Sequence, residues 1–256
     1  MPTTGHRGTQ SSSPQEEFDR AVSEFIAVTA HKVHTPVSAI KWQAEMLLAG
    51  DMGELSERQR ASLKTVMEEA ERLNDFSRAL LYVFELEKDL PLMHPQDTDL
   101  QVLLTRVVHH LDPLLKERTV HVQCPACVIS ARAHVDPDLA FVVLRTLLEN
   151  AVIYSRAGSA VEVRLEEHEG WTHVIVEDRG YGIPIDLQHL VFTKFFRAPN
   201  AKLLWTEGTG LGLYLAHTIA KRTGGDLSFE STEGKGSTFC WRIPKHTVGK
   251  QPWEKR

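Results

Sequence analysis

The chain has 256 residues, enough for one or two domains with a core in each. Apolar residues other than glycine make up 42%, with 16 glycines besides, a globular proportion that excludes wholesale disorder. Its 29 Lys and Arg against 34 Asp and Glu leave a net charge of −5, so the basic excess that phosphate-backbone binding relies on is missing and nucleic acid is not an expected partner.

The longest apolar runs, residues 79–84 and 139–144, are far shorter than the roughly 18 residues needed to cross a bilayer, so no membrane span is expected. The opening stretch M-P-T-T-G-H-R-G-T-Q-S-S-S-P has no apolar middle of the signal-peptide kind and reads as a flexible segment over residues 1–16. A reducing, cytoplasmic setting is the expectation.

From Phe18 the apolar positions Phe18, Val22, Ile26, Thr29, Val33, Pro36, Ile40, Ala44 and Leu47 recur three or four apart, which predicts one long helix with a narrow seam. It stops at Gly50. A capping box, Ser56-x-x-Gln59, opens a second helix whose Leu63, Val66, Ala70, Leu73, Ser77, Leu80 and Phe84 keep the 3-4 step. The two form an antiparallel hairpin over residues 17–88. A hairpin alone cannot bury its stripe, so pairing of two copies into a four-helix bundle is expected.

Two prolines near residues 91–95 break the heptads and mark a linker, bounded at 89–98, before a second domain at 99–246 and a tail at 247–256. In that domain the pattern predicts a helix from Leu100 to Leu115, short strands at Val120–Val122 and Ala131–Val135, and a helix from Pro137 to Ile153. Alternating strands follow at residues 161–165 and 174–177, then an irregular stretch 179–208, a helix at 211–222, and strands at 226–231 and 237–243. Between the first two strands lies C-P-A-C, with Cys124 and Cys127. It reads as a turn, with half a zinc site (completed by His121, His134 or another chain) or a redox motif as alternatives, and Cys240 reads as core. Helices interleaved with a mixed sheet predict an α/β sandwich, and the long irregular stretch inside it predicts a lid.

D-R-G-Y-G ends a strand with a carboxylate, Asp178, and two glycines, Gly180 and Gly182; G-T-G-L-G-L opens a helix with Gly208, Gly210, Leu211 and Gly212. Glycines let the backbone approach a ligand closely, and a helix start offers free N–H groups to phosphates, so the pair points to a polyphosphate site. Neither cluster has P-loop or Rossmann spacing.

Six segments in order resemble a sensor histidine kinase, across residues 17–244. They are F-I-A-V-T-A-H-K-V-H-T-P-V-S-A-I-K, L-L-E-N-A-V-I-Y-S, D-R-G-Y-G-I-P, V-F-T-K-F-F-R-A, G-T-G-L-G-L and G-K-G-S-T-F. The resemblance implies an α+β chain: a dimerisation and histidine-phosphotransfer hairpin forming a dimeric four-helix bundle, then a Bergerat-type ATP domain. It implies ATP-dependent phosphorylation of His31 and transfer to a receiver aspartate of a response regulator, with ATP and Mg²⁺ as ligands. On that resemblance Asp178 would accept from the adenine amino group, Tyr154 and Ile183 would line the adenine slot, Asn150 would hold Mg²⁺ through its amide oxygen, and Thr238 would hydrogen-bond near Asp178. Gly180, Gly182, Gly208, Gly210, Leu211 and Gly212 would shape the slot and lid. His31 lies off the seam one turn before Thr35 and Pro36, which predicts a ring projecting from the bundle and a kink just beyond it.

Departures stand out at four positions. The residue after the histidine, usually acidic in the family, is Lys32, whose ammonium offers the leaving proton no acceptor. The family's basic residue before the adenine tyrosine is Ile153, for which Lys194, Arg197 or Arg156 are the candidate substitutes at the phosphates. Thr146 stands where many members have asparagine, and His34 where arginine is common. These motivate an alternative reading as a degenerate kinase, acting as an ATP-binding scaffold or as a regulator phosphatase in which Thr35 positions water.

Overall fold

A computed structural model of the chain describes residues 14–87, 93–127, 131–206 and 208–245. The expected tail at 247–256 and most of the expected N-terminal segment lie outside the described residues. The chain divides into two compact units that meet between Glu87 and Lys88.

The first unit is a hairpin of α1 (Pro14–Ala49) and α2 (Glu57–Glu87), packed along their length. Gly50, at φ +90°, ends α1 in the left-handed region that costs glycine least. The capping box forms at the start of α2: Gln59 Oε1 accepts from the Ser56 N–H at 2.9 Å, and Ser56 Oγ accepts from the Gln59 N–H at 3.4 Å. Across the hairpin, Lys41 pairs with Glu71 at 2.8 Å, and Arg60 donates to the Leu48 carbonyl at 3.2 Å. The predicted seam is only partly covered. Of its residues Ala44, Ala70 and Ser77 are buried, as are Val37, Val83 and Leu86 beside it, while Ile40, Val66 and Leu73 stay exposed, with Phe76 next to them. Pro36 sits inside a helix assigned without a break.

The second unit is a five-stranded mixed sheet in the order β2-β4-β5-β7-β6 with helices on one face. Its strands are β2 (His121–Cys127), β4 (Ala160–His168), β5 (Trp171–Asp178), β6 (Asp226–Thr232) and β7 (Gly236–Pro244). Only β2 and β4 run parallel. A separate two-stranded sheet pairs β1 (Gln96–Asp99) with β3 (Arg132–Val135). The helices are α3 (Leu100–His110), α4 (Asp112–Arg118), α5 (Pro137–Tyr154), α6 (Pro199–Leu204) and α7 (Gly212–Arg222).

Alternation decides what is inside. Val161, Val163 and Leu165 of β4, Val174 and Val176 of β5, and Phe239, Trp241 and Ile243 of β7 are buried against Leu144, Leu147, Leu148 and Ala151 of α5 and Leu215 and Ile219 of α7. Asp136 starts α5 by accepting from the Asp138 and Leu139 amides at 2.9 and 3.2 Å, and its second oxygen accepts from the His94 N–H at 2.7 Å.

The structure corrects four expectations. The end of the predicted linker is not linker, because residues 96–99 form β1, and Thr98 Oγ1 donates to the Val135 carbonyl at 3.0 Å. The single helix predicted from Leu100 to Leu115 divides at Leu111, since Pro113 in the first turn of α4 has no N–H to continue the α3 ladder. C-P-A-C is not a turn between strands; it lies within β2, where the register against β4 slips between Gln123 and Ala126, and Cys124 is disulfide-bonded. The stretch 179–208 holds a 3-10 turn at Ile185–Leu190 and the short α6.

Candidate nucleotide site

The site is built where β5 ends beside the C-terminus of α5. Strand parity turns the Asp178 side chain to the helix-covered face, where it is only 6% exposed. Its Oδ1 accepts from the Gly180 N–H at 2.9 Å, and the backbone N–H of Ser237 on β7 adds a favourable electrostatic contribution. Burial nonetheless dominates these donors and pushes the Asp178 carboxyl up to about 6.

Three glycines are there because backbone passes over backbone. A Cβ on Gly180 would lie 2.0 Å from the Tyr154 carbonyl oxygen, one on Gly236 2.0 Å from the Asp178 carbonyl oxygen, and one on Gly182 2.1 Å from that of Thr232. Gly180 forms an isolated bridge with Ser155, and the Tyr181 N–H donates to Tyr154 O at 3.2 Å. The loop after β5 is thus laid directly on the end of α5. Beside it, the Ile183 N–H donates to Ser231 Oγ at 2.8 Å, and Ser231 Oγ lies 3.0 Å from Ser237 Oγ.

Asn150, one turn before Tyr154, donates from Nδ2 to the Thr146 carbonyl at 2.8 Å, which leaves its amide oxygen as the atom it can offer a ligand. A Cβ on Gly212, at the start of α7, would meet Thr146 Cγ2 at 3.1 Å, so Thr146 spaces α7 from α5. Tyr154 is half-buried; burial raises its phenol, and the positive charge of Arg197 partly offsets that. In the lid, Gly210 at φ +72° passes 2.6 Å (measured from a Cβ built on it) from the Phe195 carbonyl carbon, and Phe195 itself has φ +61°.

Asp178, Gly180, Gly182, Ile183, Asn150 and Tyr154 therefore come together, with Gly208, Gly210 and Gly212 in the adjoining lid. Other predicted members do not join them. Thr238 pairs with Glu177 and Glu230 on the opposite sheet face, so the hydroxyl on the side of Asp178 is that of Ser237, one residue earlier. The apolar run Phe239, Trp241, Ile243 carries that parity in the sequence and points to Ser237. Leu211 is a fully buried core side chain that precedes α7. Lys194 is exposed, with its ammonium 5.4 Å from the Tyr214 ring centroid. Arg156 donates to the Gly234 carbonyl at 2.7 Å, and Ile153 is buried core. In the hairpin unit His31 lies on α1, with its side chain outside the described residues; Lys32 and Thr35 are exposed on the same helix, and His34 Nδ1 is buried with no hydrogen-bond partner among the described residues.

A helical hairpin with a partly covered seam, and a separate mixed sheet with a buried carboxylate and a glycine-laid loop at its strand ends, define a phospho-acceptor hairpin joined to an ATPase-type nucleotide domain. Residues 21–89 match the family described as the His Kinase A (phospho-acceptor) domain. Residues 135–247 match the histidine kinase-, DNA gyrase B- and HSP90-like ATPase family. Matched in that order, these two domains are a histidine kinase catalytic core. Sensor protein SrrB of Staphylococcus aureus (strain N315) is 26% identical over 231 residues, covering 90% of this chain and 39% of SrrB. Sensor-like histidine kinase SenX3 of Mycobacterium bovis is 30% identical over 232 residues, covering 91% of this chain and 56% of SenX3. The chain thus spans well under two thirds of the curated relatives it matches. Full-length ShkA, solved in complex with AMPPNP, shares the fold with a TM-score of 0.68 at 21% identity, over 88% of this chain and 46% of ShkA.

Proposed function

We propose that the chain is an ATP-dependent protein-histidine kinase that phosphorylates itself on His31 and hands the phosphoryl group to a response-regulator aspartate. The observation that carries this reading is the buried Asp178 carboxylate, held by the Gly180 amide at the end of β5, with Tyr154 and Asn150 on the neighbouring α5. A carboxylate there accepts from the amino group of adenine, where guanine has a carbonyl, and so selects ATP over GTP. Ile183 and Tyr154 form the apolar walls of the slot. The glycines at 208, 210 and 212 let the lid backbone approach the phosphates, next to the N-terminus of α7.

Asn150 fits a magnesium ion, because its nitrogen is already used and only its oxygen, a hard ligand, is offered. Bound there, Mg²⁺ neutralises phosphate charge. The neutral imidazole of His31 attacks the γ-phosphorus, the bond to ADP breaks, the imidazole proton leaves to solvent or a base, and the product is a phosphoramidate. The high transfer potential of that bond suits onward transfer to a carboxylate.

Two copies pair through the exposed part of the hairpin seam, Ile40, Val66 and Leu73, with Phe76 next to them, into a four-helix bundle. Among the described residues no helix is long and apolar enough to cross a membrane, and the reading places the domain pair in the cytoplasm, where ATP is. Incubation with Mg²⁺ and γ-labelled ATP tests the reading: it predicts protein-bound label that is lost in acid and kept in alkali. Acid-stable label, or none at saturating nucleotide, contradicts it.

A further inference from the structure

In the lid, Arg197 is occupied by carbonyls of its own segment: Nη1 donates to the Thr206 carbonyl at 2.9 Å and Nη2 to that of Trp205. The loop that lays the adenine slot is held by other side chains. Past Asp178 the chain leaves the sheet ladder, so its backbone groups need partners of another kind. Tyr181 finds them on backbone: its N–H donates to the Tyr154 carbonyl, and its own carbonyl accepts from the Gly234 N–H at 2.7 Å. Gly182 and Ile183 find them on side chains. Asn200 Nδ2 donates to the Gly182 carbonyl at 3.3 Å, Ser231 Oγ accepts from the Ile183 N–H at 2.8 Å, and Gln188 Nε2 donates to the Ile183 carbonyl at 3.0 Å.

Gln188 serves two carbonyls at once. The same nitrogen donates to the Ser231 carbonyl, also at 3.0 Å. Ser231 lies on β6, an outer strand of the sheet, whose outer row of backbone groups has no neighbouring strand to pair with. Both partners of the amide are acceptors only, so it is the nitrogen, with its two hydrogens, that must face them. Gln188 itself is half-buried in the 3-10 turn Ile185–Leu190, just beyond the loop it holds. One planar amide therefore ties the slot wall to the sheet edge, and together with Ser231 Oγ it grips both the N–H and the carbonyl of Ile183.

We propose that Gln188 is a positioning residue for the adenine slot: its forked amide holds the Ile183 wall against β6 and so sets the fraction of molecules whose slot is ready for the base. The inference rests on the nucleotide reading of the site. Its mechanism is a population one. Without the fork the wall spends less time in place, and apparent affinity falls by that fraction whichever phosphate chain is bound. The wall meets the base and not the γ-phosphorus, so the step at His31 keeps its rate once nucleotide saturates.

The test uses the full chain, with Gln188→Met, Gln188→Glu and Ser231→Ala, and Gln188→Met combined with Ser231→Ala. ADP and ATP affinities, KM for ATP and the self-labelling rate at saturating ATP are measured, with hydrogen exchange of β5 amides as a check on folding. The fork predicts that Gln188→Met weakens ADP and ATP by the same factor, about tenfold, and raises KM to match while the saturated rate is kept. Gln188→Glu, of nearly the same shape but with an oxygen toward both carbonyls, loses at least as much, which separates hydrogen-bond donation from packing. Adding Ser231→Ala to Gln188→Met then costs less than the product of the single effects, because both groups hold Ile183. If the glutamate variant fails to fold, the methionine variant and its cycle with Ser231→Ala decide, and the affinities decide whether or not label forms. A glutamate variant that binds as the wild type does, a loss confined to ATP, a lower saturated rate at unchanged KM, or independent effects at the two positions overturns the proposal. A wild type that binds neither nucleotide overturns the nucleotide reading itself.

Discussion

Burying Asp178 has a stability cost, and the cost can be measured. Its carboxyl lies at about 6 in the folded domain against an ordinary 3.8, with burial as the main cause. A folded-state value above the unfolded one means that the native state holds a proton the unfolded chain has given up. Stability is then highest below the unfolded value and is lost as pH rises through about 6. A shift of about two pK units corresponds to about 3 kcal/mol, an order-of-magnitude figure. Asp178→Asn removes the charge and keeps an oxygen for the Gly180 N–H. The variant should therefore gain on the wild type by about 2–3 kcal/mol between about pH 4 and pH 8, whatever their difference in acid. Native-state hydrogen exchange of the slowest β5 and β7 amides reads this unit separately from the hairpin. In parallel, wild-type ATP affinity should fall as pH drops through about 6, while the asparagine variant binds weakly at every pH. A stability difference that does not change with pH, or one that moves in the wild type's favour as pH rises, would show that the carboxylate is not desolvated as described.

Ser237→Ala should weaken nucleotide binding about tenfold, while Thr238→Ala, on the other sheet face, should leave it within about twofold; calorimetric titration of both separates the two hydroxyls. Gly180→Ala, whose Cβ would fall 2.0 Å from the Tyr154 carbonyl, should abolish measurable nucleotide binding, and retained affinity would mean that the loop can move off α5. Ile40→Glu with Leu73→Glu should convert dimer to monomer in sedimentation, because each places a charge in the uncovered seam. Lys32→Glu should raise the initial rate of His31 labelling, up to the roughly 10²–10⁴-fold of a positioned general base; a slower variant would mean that the ammonium serves the phosphate instead.

What the sequence made legible was set by local periodicity. The 3-4 step of α1 and α2, the Ser56 capping box, and the alternation of β4 and β5 each depend only on neighbours along the chain, and each appears in the fold. The misses depend on partners distant in sequence. Gln96–Asp99 is a polar stretch after two prolines, and it is a strand only because β3 pairs with it. The same holds for C-P-A-C, which stays extended through a register slip against β4. Asp178 and the glycines after it were legible because a carboxylate followed by G-x-G leaves few structural uses. Ser237 and Thr238 are adjacent hydroxyl residues that differ only in strand parity, and the pairing of Ser237 with Asp178 puts Ser237 on the carboxylate's face. Arg197 was legible as a cation near the lid; its partners are carbonyls, which no residue type announces.

The central claim is phosphorylation at His31, and the most direct measurement is site mapping of the acid-labile label in the wild type beside His31→Ala and His34→Ala. The account predicts label on His31 in the wild type and in His34→Ala, and none in His31→Ala, with ATP affinity and dimerisation unchanged in all three. Label that persists in His31→Ala, or that maps to His34, would contradict it.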